Sequence, residues 1–324
     1  NMNIKKIGLT ALAGSLVATS AFAGEMSVAG GASITVEHKN GTAADAGKSY
    51  TMGNQLTFSG SGELDNGLNV SLSFVIDQGD DASNADGTTK SSNAGTPFDS
   101  HSVTISSDSL GTLVFSGEGG SSAQSAIDTT AAGDLWDNGS GFTAPRASEA
   151  GNNSMLYTLP ALMDGLTVKA GYSPGGAGGP SATSWSVGYT GVEGLSVDYA
   201  QGQTETIGSE QDHTTMKASY AYGSFTLGIS RNDYSYDLAS QNDEEVDSWQ
   251  IAYTVSDDLS VAYGQETIDT EGSSIDEEGE KINVSYTTGG VTLSASNYMY
   301  EGDSNTAGAD GEIERWALSA TFAF

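Results

Sequence analysis

The sequence predicts an all-β protein, a 16-stranded antiparallel barrel that closes on itself. Three observations support this fold class. Apolar and polar residues alternate through sixteen segments after residue 24, which is typical of strands with one apolar face. Helical periodicity is nearly absent over the same part of the chain. The connections are short and long in turn, as in successive hairpins that have one tight rim and one rim of loops.

The predicted strands follow one another along the whole chain. In the third, Leu68, Val70, Leu72, Phe74 and Ile76 occupy one face, and polar residues occupy the other. The sixteen segments are 26–38, 55–64, 68–77, 100–107, 112–118, 154–159, 166–172, 184–190, 195–201, 215–222, 225–231, 248–255, 259–265, 281–288, 291–300 and 316–324. Seven connections are short and contain Gly, Asn or Asp, which tolerate the positive φ of hairpin turns, and the other eight are expected to be long.

Closure and the direction of the faces follow from the number of strands. An open sheet of this size would expose two edges, so we expect the first strand to pair with the last. Such a barrel is too wide for side chains to fill, and its apolar face must therefore point outward, toward lipid. A tilted strand of ~9–11 residues crosses a bilayer. The sequence thus predicts a transmembrane barrel, with Tyr and Trp at the interfaces.

Residues 1–23 have the pattern of a secretory signal peptide. Lys5 and Lys6 precede an apolar run from Ile7 to Ala18, and an Ala-Phe-Ala box ends at Ala23. We expect cleavage after Ala23, which leaves residues 24–324 as a single β-barrel domain.

The composition excludes several classes of function. The chain has 42 acidic and 11 basic residues and a net charge of −31, so it lacks the basic face that a nucleic-acid partner requires. It has no cysteine for disulfides or thiolate metal sites. No HExxH or P-loop pattern occurs, and we therefore expect neither an enzyme nor a cofactor.

Two acidic segments are candidates for weak Ca²⁺ binding. Residues 77–87 are rich in carboxylates, which Ca²⁺ prefers. Residues 303–314 match an EF-hand loop at its first, third, sixth and twelfth positions, but Ala307 removes the fifth ligand and the flanks are strands. We expect delocalised cation binding in these outer loops, without a dedicated metal site.

The complete pattern resembles the general porins of Gram-negative outer membranes. The segments 56–77, LTFSGSGELDNGLNVSLSFVID, and 110–137, LGTLVFSGEGGSSAQSAIDTTAAGDLWD, are similar to the alphaproteobacterial branch. The resemblance implies a passive diffusion channel for small hydrophilic solutes and ions. It also implies export through the periplasm, contact with outer-membrane lipid and lipopolysaccharide, and a homotrimer in which each chain forms its own pore. The outward residues Trp316, Leu318, Phe322 and Phe324 are similar to the signal that the barrel assembly machinery reads.

The resemblance further implies that the third long loop, about 119–153, folds inward and narrows the channel. This is the longest connection, which independently suggests a functional loop. Its acidic residues are the predicted acidic side of the constriction: Asp128, Asp134, Asp137 and Glu149. The predicted basic lining consists of Arg146 in the loop and four cations that alternation points inward, scattered along the barrel: Lys169, Lys217, Lys281 and Arg315.

The chain departs from the family on the wall that should face this loop. General porins have a cluster of Arg and Lys on their first strands, whereas the inward positions here include Ser33, Thr35, Gln55 and Thr57, and no arginine precedes Arg146. The excess of carboxylates predicts a preference for cations. Two alternatives stay open: a substrate-selective porin of the same fold, and a secreted acidic β-rich adhesin or surface protein.

Overall fold

The computed structural model of the chain describes residues 26–40, 47–77, 98–138, 152–176, 179–206, 208–238, 240–302 and 313–324. These residues form sixteen antiparallel strands that pair in chain order, and the first strand pairs with the last to close the barrel. The predicted fold class is therefore confirmed. The predicted signal peptide lies outside the described residues.

Strands that are consecutive in the sequence are neighbours in the barrel. Their bounds are β1 Met26–Asn40, β2 Gly47–Glu63, β3 Asn69–Asp77, β4 Phe98–Ser107, β5 Gly111–Glu118, β6 Ser154–Thr158, β7 Leu166–Ser173, β8 Ser181–Tyr189, β9 Leu195–Thr206, β10 Ser209–Tyr222, β11 Phe225–Tyr236, β12 Glu244–Ser256, β13 Leu259–Thr270, β14 Glu277–Thr288, β15 Val291–Glu301 and β16 Ile313–Ala323. A short 3-10 helix, Leu135–Asn138, lies in the loop between β5 and β6. No helix in the described ranges is both long and apolar enough to cross a membrane.

The two faces of the barrel differ as the alternation predicts. Large apolar side chains such as Leu72, Leu293 and Leu318 are exposed on the outside. Pairs of aromatic rings lie on neighbouring strands of the same face, as in Trp185 beside Tyr199 with ring centroids 5.5 Å apart. Cross-strand neighbours share a face, so the strand register extends this assignment around the barrel. The inside is lined mainly by small polar residues.

One connection that the sequence predicts to be long is a tight turn. β9 continues to Thr206 and β10 begins at Ser209, with Glu205 paired to Glu210. The prediction was wrong because it required apolar residues on one face of each strand. Backbone pairing continues past the apolar belt into water, where polar residues on both faces cost nothing.

The seam between β1 and β16 is paired up to Phe324. The N–H of Gly30 donates to the carbonyl of Phe324 at 2.7 Å, and the N–H of Phe324 donates to the carbonyl of Gly30 at 3.0 Å. The ring of Phe324 covers Gly30 so closely that a Cβ on this glycine would clash with it. Phe324 and Trp316 are exposed on the outer face, as the assembly-signal hypothesis requires.

Candidate pore constriction

The described part of the loop after β5 lies inside the barrel. Three of its backbone N–H groups donate to wall serines, at 2.8, 2.8 and 2.9 Å: Ala123 to Ser184 of β8, Ala131 to Ser230 of β11, and Ala132 to Ser248 of β12. These serines alternate with the outward residues Trp185, Ile229 and Trp249, so their hydroxyls face the lumen. The loop therefore crosses the channel interior from β5 to the far wall.

Wall side chains also bind the carbonyl groups of the loop. The amide of Asn232 donates to the carbonyl of Asp128 at 2.7 Å, and the amide of Gln250 donates to that of Ala131 at 3.0 Å. The ammonium of Lys217 donates to the carbonyl of Thr129 at 2.5 Å. Polar groups of the loop backbone are thus satisfied by the wall, as buried backbone groups must be.

Asp134 forms hydrogen bonds within a tight turn of the loop. Its Oδ1 accepts from the N–H of Thr130 at 2.8 Å, and its own N–H donates to Oγ1 of Thr130 at the same distance. Asp134 has a φ of 51°, a conformation that Asp adopts more readily than most residues. This carboxylate holds the turn together, and its predicted role as pore lining stays a prediction.

The surroundings of Asp128 in the loop change the acidity of its carboxyl group. Burial in the loop, with the nearby charge of Asp134 adding to it, raises the pKa of Asp128 to about 7. A hydrogen bond from Gln124 and the positive charge of Lys217 act in the opposite direction. Asp128 therefore changes its charge near neutral pH, unlike an ordinary aspartate.

The other predicted loop side chains lie outside the described part of the chain. Arg146 and Glu149 lie outside the described residues, as does the side chain of Asp137. Their roles in the constriction stay predictions.

Two of the predicted lumenal cations converge instead of being scattered. Lys281 Nζ and Arg315 Cζ lie 5.5 and 5.2 Å from the ring centroid of Tyr298. The register places Lys281, Tyr298, Arg315 and Lys39 side by side across β14, β15, β16 and β1. The prediction was wrong on this point because alternation gives the face of a residue but not its partner across the strands. Lys39 was missed because it lies just beyond residue 38, where the predicted first strand ends, whereas β1 continues to Asn40.

Arg315 forms an ion pair that the sequence did not reveal. Its Nη2 lies 2.6 Å from Oε2 of Glu37, and the two side chains are only 13% and 15% exposed. Lys169 faces the lumen beside Thr158 and Ser186, with no such carboxylate opposite it in the register. The four wall cations therefore differ in how much charge they present to a permeating ion.

The wall of the first strands is neutral over most of its height. Thr35 Oγ1 and Ser319 Oγ form a hydrogen bond of 2.7 Å across the seam. Most central inward positions of β2 to β4 are hydroxyls and amides: Thr51, Gln55, Thr57, Ser59, Ser71, Ser73, Ser102 and Thr104. The basic cluster that the family resemblance implies for this wall is absent from these described positions.

Arg231 is not among the predicted pore-lining cations, and it does not enter the pore. It follows the inward Ser230, so it points outward, where it binds both carboxylate oxygens of Asp247 and lies 3.0 Å from Glu245.

Within the described ranges, no group of three or more His, Asp or Glu residues is arranged to hold a metal ion. Most of the two acidic Ca²⁺ candidate segments lies outside those ranges.

A closed barrel with an apolar exterior, a polar interior and a loop within its lumen defines a transmembrane β-barrel channel. The sequence matches the family described as Gram-negative porin over residues 8–324. The chain therefore belongs to the Gram-negative porin family, and it is an outer-membrane protein. Membership of this family excludes the secreted-adhesin alternative.

Solved structures of similar fold support the architecture. OmpT of Vibrio cholerae with loop L8 deleted has a TM-score of 0.69 at 15% identity, covering 93% of this chain and 99% of its own. An anion-selective porin from Comamonas acidovorans has the same TM-score and coverages at 17% identity. A trimer form of in-vitro folded OmpT has a TM-score of 0.65 at 15% identity, with coverages of 92% and 99%. At such identities the likeness shows the fold alone; comparison with curated proteins found no match.

Proposed function

We propose that this porin is a passive diffusion channel for small hydrophilic solutes and ions, and that it prefers cations. We infer the preference from the partners of two wall cations. Arg315 is paired with Glu37 and largely covered, and the amine of Lys217 is bound to the loop carbonyl of Thr129. Glu37 thus offsets the charge of Arg315, and the charge of Lys217 acts on the nearby Asp128 of the loop. The whole chain has 42 acidic residues against 11 basic ones.

The sign of the preference cannot be taken from fold relatives. One structural neighbour is an anion-selective porin, so the fold by itself does not impose a preference for cations. Selectivity then depends on which charges line the pore of each chain, as in other channels with charged rings. For this chain those charges are mainly carboxylates.

Reversal potentials in a salt gradient across a planar bilayer test the proposal. We expect the wild-type potential to have the sign of a cation-preferring pore. Changing Asp128, Asp134 and Asp137 together to Asn should reduce that potential, because these charges lie on the inward loop. The matched control changes three acids of the second long loop, Asp80, Asp81 and Asp86, to Asn and should have a smaller effect. An anion-preferring wild type would refute the proposal.

The same recordings separate the general porin from the substrate-selective alternative. A pore with a defined solute site shows saturable current block by one solute, whereas a general pore is slowed by solutes according to size and charge. We expect the second behaviour, without chemistry or a cofactor.

The proposal includes a homotrimer, insertion by the barrel assembly machinery and contact with lipopolysaccharide. One structural neighbour is a trimer form. Chemical cross-linking of membranes before extraction tests this assembly, and a chain that yields only monomers would contradict it.

A further inference from the structure

A single carboxylate of the barrel wall contacts both ends of the loop turn. Glu266 on β13 faces the lumen and is only 1% exposed. Its Oε2 accepts from the hydroxyl of Thr130 at 2.6 Å, and its Oε1 accepts from the N–H of Leu135 at 3.1 Å. Thr130 and Leu135 flank the turn that Asp134 closes. This side chain is absent from the predicted constriction residues because it is distant from the loop in sequence.

The hydrogen bonds of the turn continue into this carboxylate. The hydroxyl of Thr130 accepts from the N–H of Asp134 at 2.8 Å and donates its own proton to Glu266. Such a chain orients each group, because one hydroxyl uses its donor and its acceptor at once.

The wall around Glu266 is also shaped to receive the loop. A Cβ at Gly264 would lie 2.9 Å from the Cβ of Ala132, and a Cβ at Gly279 would lie 3.3 Å from the Cβ of Leu135. Glycines at these two inward positions let the loop backbone approach β13 and β14. The phenol of Tyr300 then donates to the carbonyl of Leu135 at 3.1 Å on the far side.

We propose that Glu266 is the positioning residue of the constriction. It holds the turn from Thr130 to Leu135 against the wall and so fixes the cross-section that remains open beside the loop. The inference rests on the channel function of the family and not on the proposed cation preference. It predicts that loss of this carboxylate leaves the barrel intact but lets the loop move into and out of the ion path.

The test records single channels of three variants in planar bilayers. Glu266→Gln replaces one acceptor oxygen with a donor, and Thr130→Val removes the loop hydroxyl without touching the wall. We expect both to show brief current substates and a broader range of conductance, with displaced-loop events increased roughly tenfold. Glu63→Gln removes an inward carboxylate near the tight-turn rim of β2, and we expect it to keep the steady current of the wild type.

A reversible tether distinguishes loop movement from a change of charge. A Cβ built on Gly228 would lie 3.5 Å from the Cβ of Ala131, which is within the range for a disulfide. The chain has no other cysteine, so Ala131→Cys with Gly228→Cys forms one defined bridge from loop to wall. In the Glu266→Gln background, we expect the oxidised bridge to restore a steady current and a reducing agent to bring the substates back.

Three results would overturn the inference. The first is a steady current like that of the wild type in both Glu266→Gln and Thr130→Val. The second is substates that persist when the bridge is oxidised. The third is substates in Glu63→Gln that are as frequent as those in Glu266→Gln. If Glu266→Gln fails to fold, Thr130→Val alone decides. A wild type that opens no channel would instead refute the porin function, so the two failures are distinguishable.

Discussion

The assignment of the two barrel faces can be tested with a single lysine placed at neighbouring residues. Leu72 lies near the middle of β3 on the outer face, opposite Gly60 and Val103, and it is 47% exposed. Ser71 precedes it and faces the lumen, opposite Ser61. Leu72→Lys and Ser71→Lys therefore add the same charge at the same height, one toward lipid and one toward water.

The expected difference is large because the lipid cannot solvate the ammonium group. A lysine on the lipid face costs roughly 2–4 kcal/mol at the bilayer midplane. Since each 1.4 kcal/mol is tenfold, the folding equilibrium of Leu72→Lys should fall by roughly 30-fold to almost 1,000-fold. Ser71→Lys should change it by far less, because its ammonium remains hydrated in the channel.

Reversible folding into lipid vesicles in a urea series, followed by tryptophan fluorescence, measures both free energies. Val284→Lys and Ser285→Lys repeat the comparison on β14, where Val284 is outward and 37% exposed. Equal destabilisation by the two lysines of each pair would mean that the faces have been assigned wrongly.

Two further predictions concern the loop and the seam. Because burial and Asp134 raise the pKa of Asp128 to about 7, Asp128 gains a proton as the pH falls through that value. The cation preference measured by reversal potentials should then decrease as the pH falls. Asp128→Asn should abolish this pH-dependent change. If the change persisted in the variant, another group would be responsible for it. At the seam, Gly30→Ala clashes with the ring of Phe324, whereas a Cβ at Gly31 would be 3.7 Å from its nearest neighbour. Gly30→Ala and deletion of Phe324 should both reduce the heat-modifiable folded form, and Gly31→Ala should not; equal yields from the two alanine variants would contradict the close fit.

The sequence predicts the barrel because each strand has its own local signal. Alternation in segments such as 68–77 depends only on which residues face lipid, and the structure confirms all sixteen strands. The alternation of apolar and polar residues stops where a strand leaves the lipid. For that reason the extensions of β9 to Thr206 and β10 from Ser209 were missed, although their backbone pairing is continuous.

The constriction was less predictable because its contacts join distant parts of the chain. Alternation placed Lys281 and Arg315 in the lumen, but only the register brings both to Tyr298. The acidic residues of the loop were evident in the sequence, yet the use of Asp134 within a turn depends on a φ of 51° that composition does not reveal. Glu266 was absent from the prediction because nothing local distinguishes it from other strand carboxylates.

The placement of charge in the lumen determines how selectivity should depend on salt. The described part of the loop lies against β8 to β15, while the wall of β2 to β4 is lined by hydroxyls and amides such as Thr57 and Ser73. A strong field across a pore needs opposite charges on facing walls, and this neutral wall offers none at its centre. The proposed preference for cations would then come from the net negative potential of the lumen, which mobile ions screen. The Debye length falls from ~30 Å at 0.01 M to ~3 Å at 1 M salt. Reversal potentials should therefore approach those of a neutral pore at high salt, and a preference that persists unchanged at 1 M would indicate a fixed charge in direct contact with the permeating ions.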